Sequence, residues 1–297
     1  MKCDLCPRKC LVDRKKGEKG ICGQTENLKV ARAALHFWEE PCISGDAGSG
    51  AVFFSGCPLH CVFCQNENIA NGTVGKEISV ERLAEIFLEL QEKGANNINL
   101  VTPGHFVPQI VKALDQAKKE GLTLPVVYNT SSYETVETIK RLEGYVDIYL
   151  PDFKYMSPGL SKKYSHAPDY AEVAKAAIAE MVRQTGKAVF VNGDEDNLIL
   201  RGTIVRHLTL PGCMADSMQI LKYLHETYGD MIYISIMNQF TPLSNLEKYP
   251  EFNRRITDEE YETLVDYAIE IGIENGFIQE GDTAEESFIP AFDCEGV

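Results

Sequence analysis

The sequence predicts an α/β protein, a partial (β/α)6 TIM-like barrel fronted by a small cysteine-rich N-terminal module. Three observations lead there. Short apolar runs of strand length alternate six times with longer segments of helical period. A chain of 297 residues is long enough to bury one large core. Seven of its ten cysteines fall in two close clusters, Cys3 to Cys22 and Cys57 to Cys64, the first lying ahead of the alternating pattern.

In chain order, residues 1–45 read as a strand-poor leader carrying the basic loop Arg14–Lys19, and residues 46–297 as the barrel domain. Ala51–Phe54 is the first predicted strand, followed by a helix over Val80–Lys93 with Leu83, Ile86, Phe87 and Leu90 on one face. Ile98–Val101 is the second, with a helix near Val107–Lys119. Leu124–Tyr128 is the third, with a helix from Tyr133 to Glu143. Val146–Leu150 is the fourth, with a long helix over Tyr170–Gln184. Thr203–Leu210, closed by Pro211-Gly212, is the fifth, with a helix over Ala215–Thr227. Met231–Met237 is the sixth, with a last helix at Thr257–Ile271. Gly186–Asn197 reads as a candidate hairpin insertion. Such an alternation calls for a parallel sheet with right-handed crossovers, its reactive groups on the loops after the strand C-termini.

Composition excludes several classes. There are 29 Lys and Arg against 44 Asp and Glu, a formal charge of −15 that disfavours the basic patches nucleic-acid binding needs. Stretches such as Ala51–Phe54 and Met231–Met237 are too short to span a bilayer. Met1-Lys2-Cys3-Asp4-Leu5-Cys6 lacks the apolar core of a secretion signal, so the expected location is the cytoplasm, with no nucleic-acid or membrane partner. In that reducing compartment, thiols at short spacing hold metal or iron–sulfur centres more often than disulfides.

Directly after the first strand comes Ser55-Gly56-Cys57-Pro58-Leu59-His60-Cys61-Val62-Phe63-Cys64-Gln65-Asn66. Three thiolates spaced C-x3-C-x2-C hold three irons of a cubane and leave the fourth open to an outside ligand. A redox dithiol at Cys61 and Cys64, or a zinc site borrowing His60, are the alternatives. Upstream, Cys3, Cys6, Cys10 and Cys22 make a complete four-thiolate set for zinc or for a closed iron–sulfur cluster, with Pro7, Gly20 and Gly23 supplying turns. The isolated Cys42 and Cys213 read as packing residues and Cys294 as tail.

The segment around Cys57, Cys61 and Cys64 resembles the radical S-adenosylmethionine (SAM) superfamily, with its C-x3-C-x-aromatic-C motif after the first strand. Within it, Phe53–Asn66 resembles the activating enzymes of glycyl radical enzymes, typified by pyruvate formate-lyase activating enzyme. Over nearly the whole chain the similarity is to their PflX-like relatives. The resemblance implies a 4Fe–4S cluster on those three cysteines, whose open iron takes the amino and carboxylate groups of SAM. Reductive cleavage then gives a 5′-deoxyadenosyl radical that abstracts hydrogen from a substrate. It further implies an oxidoreductase working anaerobically with a flavodoxin- or ferredoxin-type reductant, and a glycyl radical enzyme as partner.

By the same resemblance Phe63 and Asn66 lie by the adenine. The loop after the second strand reads Thr102-Pro103-Gly104-His105 where the superfamily usually has Gly-Gly-Glu, leaving Thr102 as the polar contact. Asn129-Thr130 stands where the activating enzymes carry Asp-Thr, and Asp152-Phe153-Lys154 matches their Asp-x-Lys, around the SAM carboxylate and a nearby cation. Arg206 aligns with an arginine reaching the SAM carboxylate or ribose. Ordinary ion pairs at strand ends are the alternative for Asp152, Lys154 and Arg206. Gln239, His105, His207 and Tyr133 fall near the same mouth, the histidines and tyrosine as scaffold. Two other functions fit the residues: a radical SAM enzyme acting on a small molecule or peptide, and a non-catalytic metal-binding scaffold.

Overall fold

A computed structural model describes residues 2–194, 197–243, 246–279 and 290–297. Its strands are β1 (Leu28–His36), β2 (Ser49–Phe54), β3 (Lys76–Ile78), β4 (Ile98–Val101), β5 (Val126–Thr130), β6 (Ile148–Pro151), β7 (Val189–Phe190), β8 (Ile199–Leu208), β9 (Tyr233–Met237) and β10 (Gly276–Ile278). They form one sheet in the order β10-β9-β8-β6-β5-β4-β2-β1-β3, with β7 added to β8. Every neighbouring pair from β2 to β10 along that path is parallel, whereas β1 runs antiparallel to β2 and β3 antiparallel to β1. All six predicted strands are present, as β2, β4, β5, β6, β8 and β9.

The helices are α1 (Pro41–Ser44), α2 (Glu67–Ala70), α3 (Val80–Glu92), α4 (Val107–Lys119), α5 (Val136–Lys140), α6 (Pro158–Ser165), α7 (Tyr170–Thr185), α8 (Met214–Tyr228) and α9 (Asp258–Glu270). Local chemistry sets their ends. The Ser79 hydroxyl accepts from the Arg82 amide to start α3, and Thr257 and Glu260 cap α9 reciprocally. The helix expected over Tyr133–Glu143 is shorter, because Thr135 caps it at Val136 while Ser132 sits in the left-handed region at φ +62°. In the Gly186–Asn197 segment, β7 pairs antiparallel with the start of β8, as a hairpin would; residues 195–196 lie outside the described residues.

The strand-poor reading of residues 1–45 is corrected by β1, nine residues long and paired with β2 over Val30–His36. Its sequence, LKVARAALH, lacks both strict alternation and β-branched density, the two signals that mark a strand in sequence. Pairing and the burial of Leu28, Val30 and Ala33 override that weak propensity.

The parallel strands β2, β4, β5, β6 and β9 are buried along their whole length, as expected where both faces are covered. Outward residues such as Val126, Tyr128 and Tyr149 share one apolar cluster with Phe87 and Leu90 of α3, Ile110 and Leu114 of α4 and Ala177 and Met181 of α7. Inward residues Val127, Ile148, Leu150, Ile204 and Tyr233 pack on Cys42 and Ile43 of α1. The sheet therefore curls around α1, which fills its interior. Among the described residues β3 and β10 end the strand order and do not pair with each other, so the barrel is partial. Among the described residues, no helix is long and apolar enough to cross a membrane.

Candidate active site

The loop after β2 makes its turn at Gly56, at φ +91°, with the backbone of Cys22 packed where a side chain would stand. Phe63 anchors the loop from below: it is buried, 5.6 Å from the Phe252 ring, 6.2 Å from Phe240 and 6.4 Å from Tyr155. With the ring held in the core, Cys57, Cys61 and Cys64 face a cavity of about 460 Å³. Phe63, Asn66, Thr102, Asn129, Thr130, Asp152, Lys154 and Arg206 all line that same cavity, as do Gln65 and Gln239. The Gln65 side chain ties the cysteine loop to the end of β9, donating to the Gln239 carbonyl at 2.7 Å.

The strand ends converge because neighbouring strands hold them in register. The Thr102 amide donates to the Asn129 carbonyl, the Asp152 amide to Thr130, and the Phe153 amide to Arg206, at 2.8–2.9 Å. Thr102 takes φ +56°, a strained setting for a β-branched residue, at the cavity wall.

A charge network forms the floor. Arg206 Nε donates to Asp152 Oδ1 at 3.0 Å, Nη1 to Glu39 Oε2 at 2.9 Å and Nη2 to Asn129 Oδ1 at 2.7 Å. Asn129 and Asn99 each donate to Glu39 Oε1, at 3.1 and 3.0 Å. Lys154 Nζ reaches Asp152 Oδ2 at 2.6 Å. Burial alone would raise the Asp152 pKa, but Lys154 and Arg206 outweigh it and hold the carboxyl below its ordinary value. Asp152, Lys154 and Arg206 thus do form ion pairs at strand ends, and they do so inside the cavity.

Glu39 and Glu40, from the turn between β1 and α1, were not anticipated, because the strand that delivers them was not read. Glu40 is buried; its Oε2 has no hydrogen-bond partner, and Ser235 of β9 bonds its carboxyl group. Burial, and then the neighbouring Glu39, push its pKa up despite Arg206. A third unanticipated acid, Glu134, lies behind Thr130, accepting from Thr130 Oγ1 at 2.6 Å and from the Tyr128 hydroxyl.

Burial pushes Cys57 up, Cys61 to about 11 and Cys64 to about 12, so no thiolate stands free at neutral pH, and ligation would release the protons. Ser165 Oγ donates to Cys61 Sγ at 3.0 Å. Among the described residues, no three His, Cys, Asp or Glu side chains converge tightly enough to enclose one metal ion. A cubane asks for wider spacing, since each thiolate takes a different iron, and the three thiols of one loop that line the cavity fit it.

The four upstream cysteines pack against this loop. Arg8, between Cys6 and Cys10, donates to the carbonyls of Pro58 at 2.9 Å, Ser165 at 3.0 Å and His166 at 2.6 Å. The His60 ring meets the Ile21 carbonyl at 2.8 Å. Burial pushes Cys6 up to about 12 and raises Cys22, with the other three thiols of the set each adding to both or to one.

The residues read as scaffold stay out of the cavity lining. His105 is buried against the Ser55 carbonyl at 2.8 Å, His207 lies between the Phe153 carbonyl and Ser217, and the Tyr133 hydroxyl donates to Asp169 at 2.8 Å. Cys42 and Cys213 are buried in apolar clusters, and Cys294 lies in a tail whose amide bonds Ala31 of β1.

A loop of three cavity-facing cysteines at the C-terminal end of a partial parallel barrel defines a class of iron–sulfur enzyme. The model of the Radical SAM superfamily matches residues 51–198, which supports a radical SAM protein and with it SAM and a 4Fe–4S cluster. It is 28% identical over 276 residues to an uncharacterized protein of Methanocaldococcus jannaschii, covering 90% of this chain and 74% of that one. Among solved structures it resembles SuiB of Streptococcus suis bound to S-adenosylmethionine, with a TM-score of 0.51 and 11% identity over 75% of this chain and 48% of SuiB. It also resembles HydG, a maturase of the [FeFe]-hydrogenase, with a TM-score of 0.51 and 16% identity over 76% of this chain and 50% of HydG. The chain spans about half the length of either structure, and at these identities the likeness is one of fold.

Proposed function

We propose that this radical SAM enzyme activates a glycyl radical enzyme, abstracting hydrogen from a glycine of a partner protein. The observation that supports the reading is the convergence of the three-cysteine loop with Asn129-Thr130, Asp152, Lys154 and Arg206 on one cavity. Bound together, cluster and SAM supply the one-electron chemistry that ends in hydrogen abstraction.

The chain's own residues do the rest. Cys57, Cys61 and Cys64 hold the cluster, and the buried Phe63 fixes their loop. Lys154 offers a cation to the SAM carboxylate, Thr130, whose hydroxyl donates to Glu134, lines the same wall, and Thr102 and Asp152 face the SAM ammonium. Arg206 spends three N–H groups on Asp152, Glu39 and Asn129, which locks that wall in place and leaves two for the carboxylate or ribose. Phe63 and Asn66 lie on the adenine side. Cys3, Cys6, Cys10 and Cys22 hold a second metal centre, and a flavodoxin- or ferredoxin-type protein is the reductant.

The test is anaerobic reconstitution followed by dithionite and SAM. Formation of 5′-deoxyadenosine above a Cys57→Ala control is the expected result, and its absence ends the reading. A glycyl radical seen by electron paramagnetic resonance in a co-expressed partner supports the activase role. Cleavage of SAM without any such radical points instead to a small-molecule or peptide substrate.

A further inference from the structure

We infer that Cys3, Cys6, Cys10 and Cys22 hold an iron–sulfur cubane that serves as the electron-entry port, beneath a lysine-rich surface that receives an acidic one-electron carrier protein. The inference rests on the radical SAM reading only for where the electron goes; the site itself stands on its own geometry.

The four thiols belong to one tight fold. The Cys3 amide bonds the Val12 carbonyl at 2.9 Å, the Leu11 amide returns to Cys3 at 3.1 Å, and the Lys9 amide turns back to Cys6 at 3.1 Å. Gly20 sits between two of the sulfurs: a side-chain carbon there would lie 3.0 Å from Cys10 Sγ and 3.6 Å from Cys22 Sγ. With Cys10 Sγ and Cys22 Sγ both beside Gly20 and the Cys22 carbonyl against Gly56, the set lies next to the Cys57 loop, where a redox-active cubane has a use that redox-inert zinc lacks.

Position makes the centre a relay. Cys22 touches Gly56, the residue before Cys57, and the two cysteines interact electrostatically. Arg8 and His60 clamp the two loops together. The outer side faces solvent: Lys2, Lys9, Lys15, Lys16 and Lys19 are exposed, as are Asp4 and Glu18. Leu11 and Ile21 add exposed apolar surface, at 51% and 48%. On a chain of net charge −15, this concentration of exposed lysines with exposed apolar side chains in one segment suits an acidic carrier steered by charge. The carrier is oxidised by one electron, the N-terminal cubane passes that electron on, and the cubane at Cys57, Cys61 and Cys64 is reduced. No bond or proton moves.

The experiment uses the full chain, purified and reconstituted anaerobically, with iron, sulfide and zinc counted. About eight irons per chain are expected, and about four in the Cys57→Ala/Cys61→Ala/Cys64→Ala variant, with the absorption and paramagnetic signature of a cubane. One zinc in place of that iron, or no metal in the triple variant, overturns the inference. Because that variant lacks the SAM site, its result is independent of whether the enzyme cleaves SAM. For the surface, Lys9→Glu/Lys15→Glu/Lys16→Glu should lower the ratio of flavodoxin-driven to dithionite-driven SAM cleavage at least about tenfold and flatten its salt dependence. An unchanged ratio overturns the docking face.

Discussion

The carbonyl oxygen of Cys22 occupies the space that a side chain on Gly56 would need. One backbone contact therefore joins the N-terminal cysteines to the loop that carries Cys57, and the joint tolerates only glycine.

Gly56→Ala should disturb that joint twice over, through the contact with Cys22 and through φ +91°, which costs alanine roughly 1 kcal/mol or more. The expected outcome is a lower melting temperature together with poor iron incorporation at the Cys57 loop. Wild-type iron content in a normally stable variant would contradict the packing described here.

Arg206 neutralises two buried carboxylates, so its removal leaves both uncompensated. Arg206→Met should destabilise the apo-protein by about 3 kcal/mol or more, and adding Glu39→Gln should recover part of the loss. A double-mutant cycle by denaturant unfolding gives the coupling, and a value near zero would remove the network from the account.

Lys154→Met should leave the cluster loaded but weaken SAM binding by about tenfold or more, since a cavity-facing cation beside Asp152 is lost. Equilibrium binding on the reconstituted enzyme, with iron measured in parallel, separates this from a loading defect. Unchanged affinity would assign Lys154 to the ion pair alone.

Stability should fall on mild acidification through His207. Its Nδ1–H donates to the Phe153 carbonyl at 2.8 Å and its Nε2 accepts from Ser217 at 2.9 Å, and burial holds its pKa down to about 4 from 6.5. The folded chain keeps the ring neutral, while the unfolded chain takes up a proton below pH 6.5. The contribution is therefore complete above that pH and is lost as pH falls toward 4, at roughly 3 kcal/mol in all. Melting curves of the apo-protein between pH 7.5 and 4.5 should show a shallower slope for His207→Gln, and equal slopes would refute the assignment. His105, lowered by burial to about 3, adds a loss of the same sign.

The parallel strands were legible because burial on both faces writes them as continuous apolar runs, as in Ala51–Phe54 and Ile98–Val101. The cysteine loop was legible because its ligands are neighbours in sequence and their spacing is the chemistry. The shortened α5 was not, since a cap at Thr135 competes with a helical pattern that begins earlier.

By itself, then, the sequence determined the alternating α/β core and the loop of Cys57, Cys61 and Cys64, both of them local patterns. Only the tertiary structure decided that β1 completes the sheet, that Glu39 reaches across to Arg206, and that Cys22 lies against Gly56. Those contacts join residues up to 167 positions apart. Pairing across such distances is set by which buried groups must be neutralised or hydrogen-bonded once the chain has closed on itself, and that requirement exists only in the folded state.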